Sequence, residues 1–134
     1  MNSISYLGHA GFFIQQNGFN LLMDPWLSKE PAFLNTWYQW PDNSFIEKEN
    51  LFNFNTVTHV WCSHEHTDHF DSKFLDKLNK DTLIILADFP SDRLMLRFNR
   101  LGFNNFKKLS HLETFEISDS VDITMVIEQP SLTE

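Results

Sequence analysis

The chain has 134 residues, 42% of them hydrophobic, with 14 phenylalanines and a net charge of −8, enough for one small domain (residues 1–134) with a buried core. It has no apolar run of about 18 residues, no signal-peptide start in MNSISYLGHAG, and a single cysteine, Cys62; these exclude a transmembrane helix and an internal disulfide and predict a cytoplasmic protein. Lys107, Lys108, Arg93, Arg97 and Arg100 form no basic stripe, so neither nucleic acid nor membrane is expected as a partner.

Ser3 to Leu7 reads as a first strand and Gly11 to Gln16 as a second. Asn17-Gly18 is a two-residue hairpin signal, leading into a third strand, Phe19 to Met23. The three form an antiparallel opening to a sheet. His9 lies in the Gly-His-Ala turn after the first strand. Its plainer role is a bond to a nearby carbonyl; the functional one is a contact beside a metal site or substrate. Asp24 follows the third strand. It reads either as a turn aspartate bonding the next backbone or as support for an active site.

Ser28 to Phe54 is a long connection holding Phe33, Trp37, Tyr38, Trp40 and Phe45. It reads as an aromatic lid over the core edge, or as a wall of a substrate pocket in which Trp37 or Trp40 stacks on a sugar or base. Thr56 to Cys62 (TVTHVWC) reads as a buried strand, with His59 a packed, hydrogen-bonded residue.

Ser63 to Asp71 (SHEHTDHFD) follows, and it places His64, His66, Asp68 and His69 within six residues. Imidazole nitrogen and carboxylate oxygen are ligands that zinc, iron and manganese accept. Alternate spacing turns His64 and His66 to one side of an extended backbone, and Asp68 and His69 follow in a turn. Asp71 is the expected N-cap of a helix over Ser72 to Asn79, with Phe74, Leu75 and Leu78 on one face. Thr82 to Ala87 is an apolar strand of a sheet covered on both faces. Ser91 to Leu101 is a helix whose Leu94, Met95, Phe98 and Leu101 share a face, with Gly102 as its stop. Phe106 to Leu109, Thr114 to Ile117 and Val121 to Glu128 read as a meander, with His111 as a surface residue in a turn.

H-x-H-x-D-H after a hydrophobic strand resembles the signature of the metallo-β-lactamase superfamily, and the earlier blocks YLGHA and GFNLLMDPWL agree. DPWLSKEPAF, with Trp37 beyond it, and HVWCSHEHTDHFDSKFLDKL are similar to the branch holding CMP-N-acetylneuraminate hydroxylase and ascorbate-phosphate lactonase-like proteins. The likeness runs from Ser3 to about Pro130.

The resemblance implies an α/β fold, the metallo-β-lactamase-like αββα sandwich, of which this chain matches the first half and is expected to be truncated at its C-terminus. It implies one or two divalent metal ions, zinc first and iron or manganese next. His64 and His66 would hold one ion, and Asp68 and His69 a second. His9, Asp24, Trp37 and Trp40 would stand behind the ligands or against the substrate.

It further implies a metal-dependent hydrolase acting on a small ester, lactone or phosphoester, with Asp68 as catalytic residue. Two alternatives go with it. One is the metallo-β-lactamase-like part of a Rieske-type hydroxylase of a nucleotide sugar. The other is a non-catalytic metal-binding or interaction module. The family's third-motif histidine should fall near Glu128 to Glu134, where the sequence is EQPSLTE without a histidine, and the bridging aspartate beyond it is missing. A Rieske centre needs two cysteines and two histidines, which one cysteine cannot supply. A half sandwich would leave an apolar sheet face to be covered by a second copy or by a further half of the fold.

Overall fold

The computed structural model describes residues 2–128. Residues 129–134, where the third-motif position was expected, lie outside the described residues, and Glu128 is exposed.

Six strands form the main sheet in the order β1-β2-β3-β4-β5-β6. β1 (Ser3–Gly8), β2 (Gly11–Gln16) and β3 (Phe19–Met23) pair antiparallel, as their hairpin turn dictates. Asn17 and Gly18 both take positive φ, 48° and 86°, the backbone a tight two-residue hairpin requires. β4 (His59–Trp61), β5 (Leu83–Ala87) and β6 (Phe106–Leu109) then add parallel to β3 and to one another. Parallel neighbours need crossovers. The first crossover carries α1 (Phe45–Lys48), the second α2 (Ser72–Leu75) and the third α3 (Arg93–Arg100).

All three helices lie on one sheet face. Leu7, Phe13, Leu22, Val60, Ile84 and Leu86 of the strands pack there with Ile46, Phe74, Leu75 and Phe98 of the helices. The alternate residues of β5, Leu83, Ile85 and Ala87, point to the other face. There they meet a separate hairpin of β7 (Thr114–Ser118) and β8 (Val121–Thr124) through Phe115, Ile123, Met125 and Ile127. The layers are therefore helix, sheet and sheet. Toward β1 the second face stays open, and Ile4, Tyr6 and Phe12 are exposed on it.

Four local expectations change. β4 is shorter than Thr56 to Cys62, because Phe54–Thr56 form a 3-10 turn and Thr58 spends its hydroxyl on Asn20 at 3.0 Å. α2 stops after one turn; the amides of Lys77 and Leu78 bond three residues back, to Phe74 and Leu75. β6 pairs with β5 and not with β7, so the three last strands are not one meander. β8 ends at Thr124, after which the Ile127 amide donates to Nδ1 of exposed His111 at 3.0 Å. Half-buried His59 bonds Thr58 Oγ1 through Nδ1 at 2.7 Å, and burial lowers its pKa from the ordinary value.

Candidate metal centre

The sheet brings three loops to one edge. β1, β3 and β4 all end there, so the β1–β2 turn with His9, Asp24 after β3 and Ser63 to Asp71 after β4 become neighbours. Asp24 holds that edge together. Its amide donates to Trp61 O at 3.0 Å, and its Oδ1 accepts from Ser63 N at 2.7 Å.

The histidine segment bends at Glu65 and His66, where the alternate spacing suggested an extended backbone, and then turns at Asp68 and His69 as expected. It turns back on itself, with His69 N and Phe70 N both donating to His66 O at 3.0 and 2.7 Å. Cys62 sits beneath this turn, fully buried, with its thiol directed at His64 O (3.2 Å) and His69 O (3.4 Å). Burial, helped by the charge of Asp24, pushes that thiol well above the ordinary range. Cys62 therefore stays a neutral thiol that packs the loop. Arg97 donates to Glu65 O and lies 4.7 Å over the Phe70 ring, bracing the loop from α3.

The four expected ligands are neighbours, in a run from His66 through His64 and His69 to Asp68. The His64 ring lies 4.6 Å from that of His66 and 4.1 Å from that of His69, and His64 Nε2 is 3.1 Å from His66 Nδ1. His69 Nε2 is 3.3 Å from Asp68 Oδ2. Burial and the neighbouring rings of His69 and His66 lower the pKa of His64. That favours the neutral imidazole, the form that ligates a metal.

Outer contacts fix the rings. His69 Nδ1 faces Asp24 Oδ2 at 3.1 Å, and His64 Nδ1 faces Ser63 Oγ at 2.8 Å. Each leaves its Nε2 toward the cluster, the arrangement by which carboxylates and hydroxyls orient metal-bound histidines. Asp24 thus supports His69 instead of bonding only its own turn.

Asp68 is 4% exposed, and its Oδ1 has no hydrogen-bond partner. A buried carboxylate oxygen without a donor is costly. A cation would satisfy it, and a donor set of imidazoles and one carboxylate suits zinc, iron or manganese. The residues present therefore fit a divalent ion.

Four features were beyond the sequence. His9 Nε2 lies 2.8 Å from Asp68 Oδ2, and the three residues whose ligand atoms all fall within 4.8 Å of one another are His9, Asp68 and His69. Ser63 bridges Asp24, His64 and His69. Phe33 stands with its ring 5.5 Å from His66 and stacks on Trp37 at 5.6 Å. Asp71, read only as a cap, also accepts from Leu27 N, Ser28 N and Ser28 Oγ. The one signal for Ser63 was its place between the strand and the first histidine; His9 was read as a contact beside a metal site and Phe33 as part of the aromatic loop, but nothing in the sequence named Asp68 or His66 as their neighbours. Trp37 meets His9 edge-on at 5.4 Å, whereas Trp40 is 90% exposed and joins none of these ring pairs among the described residues. Among those residues no helix is long and apolar enough to cross a membrane.

The family model described as beta-lactamase superfamily domain matches residues 3–131. A relative from Mycolicibacterium smegmatis, provisionally named a Rieske 2Fe-2S iron-sulfur protein, is 37% identical over 123 residues, 91% of this chain and 21% of its own length. A protein of Chelativorans sp. (strain BNC1) named a metal-dependent hydrolase is 32% identical over 85 residues, 63% of this chain and 30% of its own. The chain thus spans about a fifth to a third of the length of these relatives. Among solved structures, CmlA, a diiron beta-hydroxylase from Streptomyces venezuelae, superposes with a TM-score of 0.61 at 20% identity, over 94% of this chain and 24% of that one. At that identity the match shows the metallo-β-lactamase fold alone.

Proposed function

Because the chain belongs to the beta-lactamase superfamily domain family, we propose that it is the ligand-bearing part of a metal-dependent hydrolase acting on a small ester, lactone or phosphoester. The observation that carries this reading is the run of contacts from His66 through His64 and His69 to Asp68, whose other carboxylate oxygen is buried without a partner. His64 and His66 would hold one ion, and Asp68 and His69 a second, with zinc first and iron or manganese next. A bound divalent ion supplies Lewis acidity and a water of lowered pKa. Asp68 is the acceptor for the proton of the attacking water. Asp24 and Ser63 hold the histidine rings in register. Phe33 and Trp37 form an apolar wall on which a planar or ring-bearing substrate packs.

The similarity to the Chelativorans hydrolase supports this reading. The test is hydrolysis of a panel of esters, lactones and phosphodiesters by chelator-treated chain with and without added zinc, manganese or ferrous ion. Turnover should need the metal and fall at least about 100-fold in His66→Ala, the scale on which metal-assisted catalysis acts. Hydrolysis retained by a metal-free His66→Ala variant would sink the assignment.

A second reading rests on the 37% identity to the mycobacterial relative. In it the chain is the metallo-β-lactamase-like part of a longer Rieske-type oxygenase, in the branch that includes the nucleotide-sugar hydroxylase. The iron–sulfur ligands would then come from elsewhere, since Cys62 is the only cysteine and is buried under the histidine loop. In both readings further strands of the same polypeptide would cover the open strip of Ile4, Tyr6 and Phe12, continuing the layer begun by the β7–β8 hairpin.

A further inference from the structure

His9 comes from the opposite end of the site's sequence, 59 residues before Asp68, yet its Nε2 lies 2.8 Å from Asp68 Oδ2. An ionised carboxylate can only accept, so the contact is an Nε2–H of His9 donating to Oδ2. The other oxygen of the same carboxylate, Oδ1, is buried without a partner. One oxygen is held and one is left for something that donates charge or a proton.

The turn that carries His9 is built to deliver that ring. Gly8 and His9 both take positive φ, 107° and 50°. A side chain at Gly8 would collide with the Gln39 amide and approach Asn43 to 3.0 Å. Gln39, in the amide orientation that satisfies its neighbours, accepts from His9 N at 3.2 Å and donates to Trp26 O at 2.9 Å. Asn43 ties Leu7 O and Trp26 O together at 2.6 and 2.9 Å. The edges of Trp26 and Trp37 close on the imidazole from two sides, each with ring centroids 5.4 Å away. With two tryptophans fixing its plane and Gln39 fixing its backbone, the ring has one carboxylate to address.

We propose that His9 is the positioning residue for Asp68: it pins Oδ2 from the β1–β2 turn and so presents Oδ1 to the metal, without ligating the ion itself. This rests on the metal reading above. It also explains why an aromatic, amide-lined pocket surrounds a single turn histidine. Outer contacts of this kind typically change metal affinity about 10- to 100-fold when removed.

The test is metal titration of wild type, His9→Ala, His9→Gln and His9→Asn with zinc and with cobalt, each first shown to be folded by circular dichroism. X-ray absorption on the zinc-loaded chains counts coordinated imidazoles. His9→Ala should bind about 10- to 100-fold more weakly with the imidazole count unchanged. His9→Gln, whose amide nitrogen can reach Oδ2, should recover most of that loss, and the shorter His9→Asn should not. If the alanine variant does not fold, the glutamine-against-asparagine comparison carries the same contrast.

Equal affinity in all four chains would overturn the proposal. So would a loss of one coordinated imidazole in His9→Ala, which would make His9 a ligand. A folded wild type that takes up neither metal overturns the metal reading and His9's role with it, an outcome distinct from a loaded wild type whose His9 variants bind equally well.

Discussion

Asp71→Ala should lower the unfolding free energy by about 3 to 5 kcal/mol, from four lost bonds of which the two to buried amides go uncompensated at roughly 1–3 kcal/mol each. Asp71 is 4% exposed and accepts from Phe74 N at 3.1 Å, Leu27 N at 2.9 Å, Ser28 N at 2.6 Å and Ser28 Oγ at 2.9 Å. The first of these is an N-cap, worth about 1 kcal/mol by itself. The others tie the start of the aromatic loop to the residue that ends the histidine segment. Alanine leaves the Leu27 and Phe74 amides buried with nothing to bond. Against a typical total of about 5–15 kcal/mol the loss is large, and a melting point lower by roughly 10 °C or more should accompany it. Asp71→Asn keeps one acceptor oxygen and should lose about half as much. Urea titration followed by tryptophan fluorescence measures both. A loss under about 1 kcal/mol for the alanine variant would mean that the loop is held by something other than this carboxylate.

The second large effect falls on binding and leaves stability nearly unchanged. Asp68→Asn should weaken metal binding by at least about 100-fold, beyond the range of an outer-shell change, because it removes a ligand charge. The metal-free variant should nevertheless stay within about 1 kcal/mol of the metal-free wild type. The reason is that Asp68 Oδ1 already stands buried and unpartnered, so the fold gains little from the charge that asparagine removes. Asparagine still offers a carbonyl oxygen to His9. Paired measurements of zinc affinity and of chelator-treated urea stability decide it. A variant that loses several kcal/mol without metal would make Asp68 a structural residue first.

Where bonding is local, the sequence spoke clearly. Asn17-Gly18 demands a tight hairpin, and β1 to β3 follow from it. The TLIILA run became β5 with both faces covered, and Phe98 of the α3 stripe is buried as its spacing required. The closeness of His64, His66, Asp68 and His69 could be read because they lie within six residues of one another. What could not be read depends on partners far away in sequence. β4 lost its first residues because Thr58 bonds Asn20, 38 residues earlier. β6 pairs with β5 and not with the next strand, since a crossover helix brings it back. His9 and Asp68 share no local pattern at all, and only the sheet, with β1, β3 and β4 ending at one edge, puts the turn histidine on the buried carboxylate.

The most direct test of the central claim, that His64, His66, Asp68 and His69 form a metal centre, is elemental analysis of the chain purified without added metal. Wild type and His66→Ala are compared at equal folded content. One to two equivalents of zinc, iron or manganese in wild type, lost in His66→Ala, is the result predicted by this donor set. A well-folded wild type with no metal above background, and none after dialysis against zinc, would contradict it.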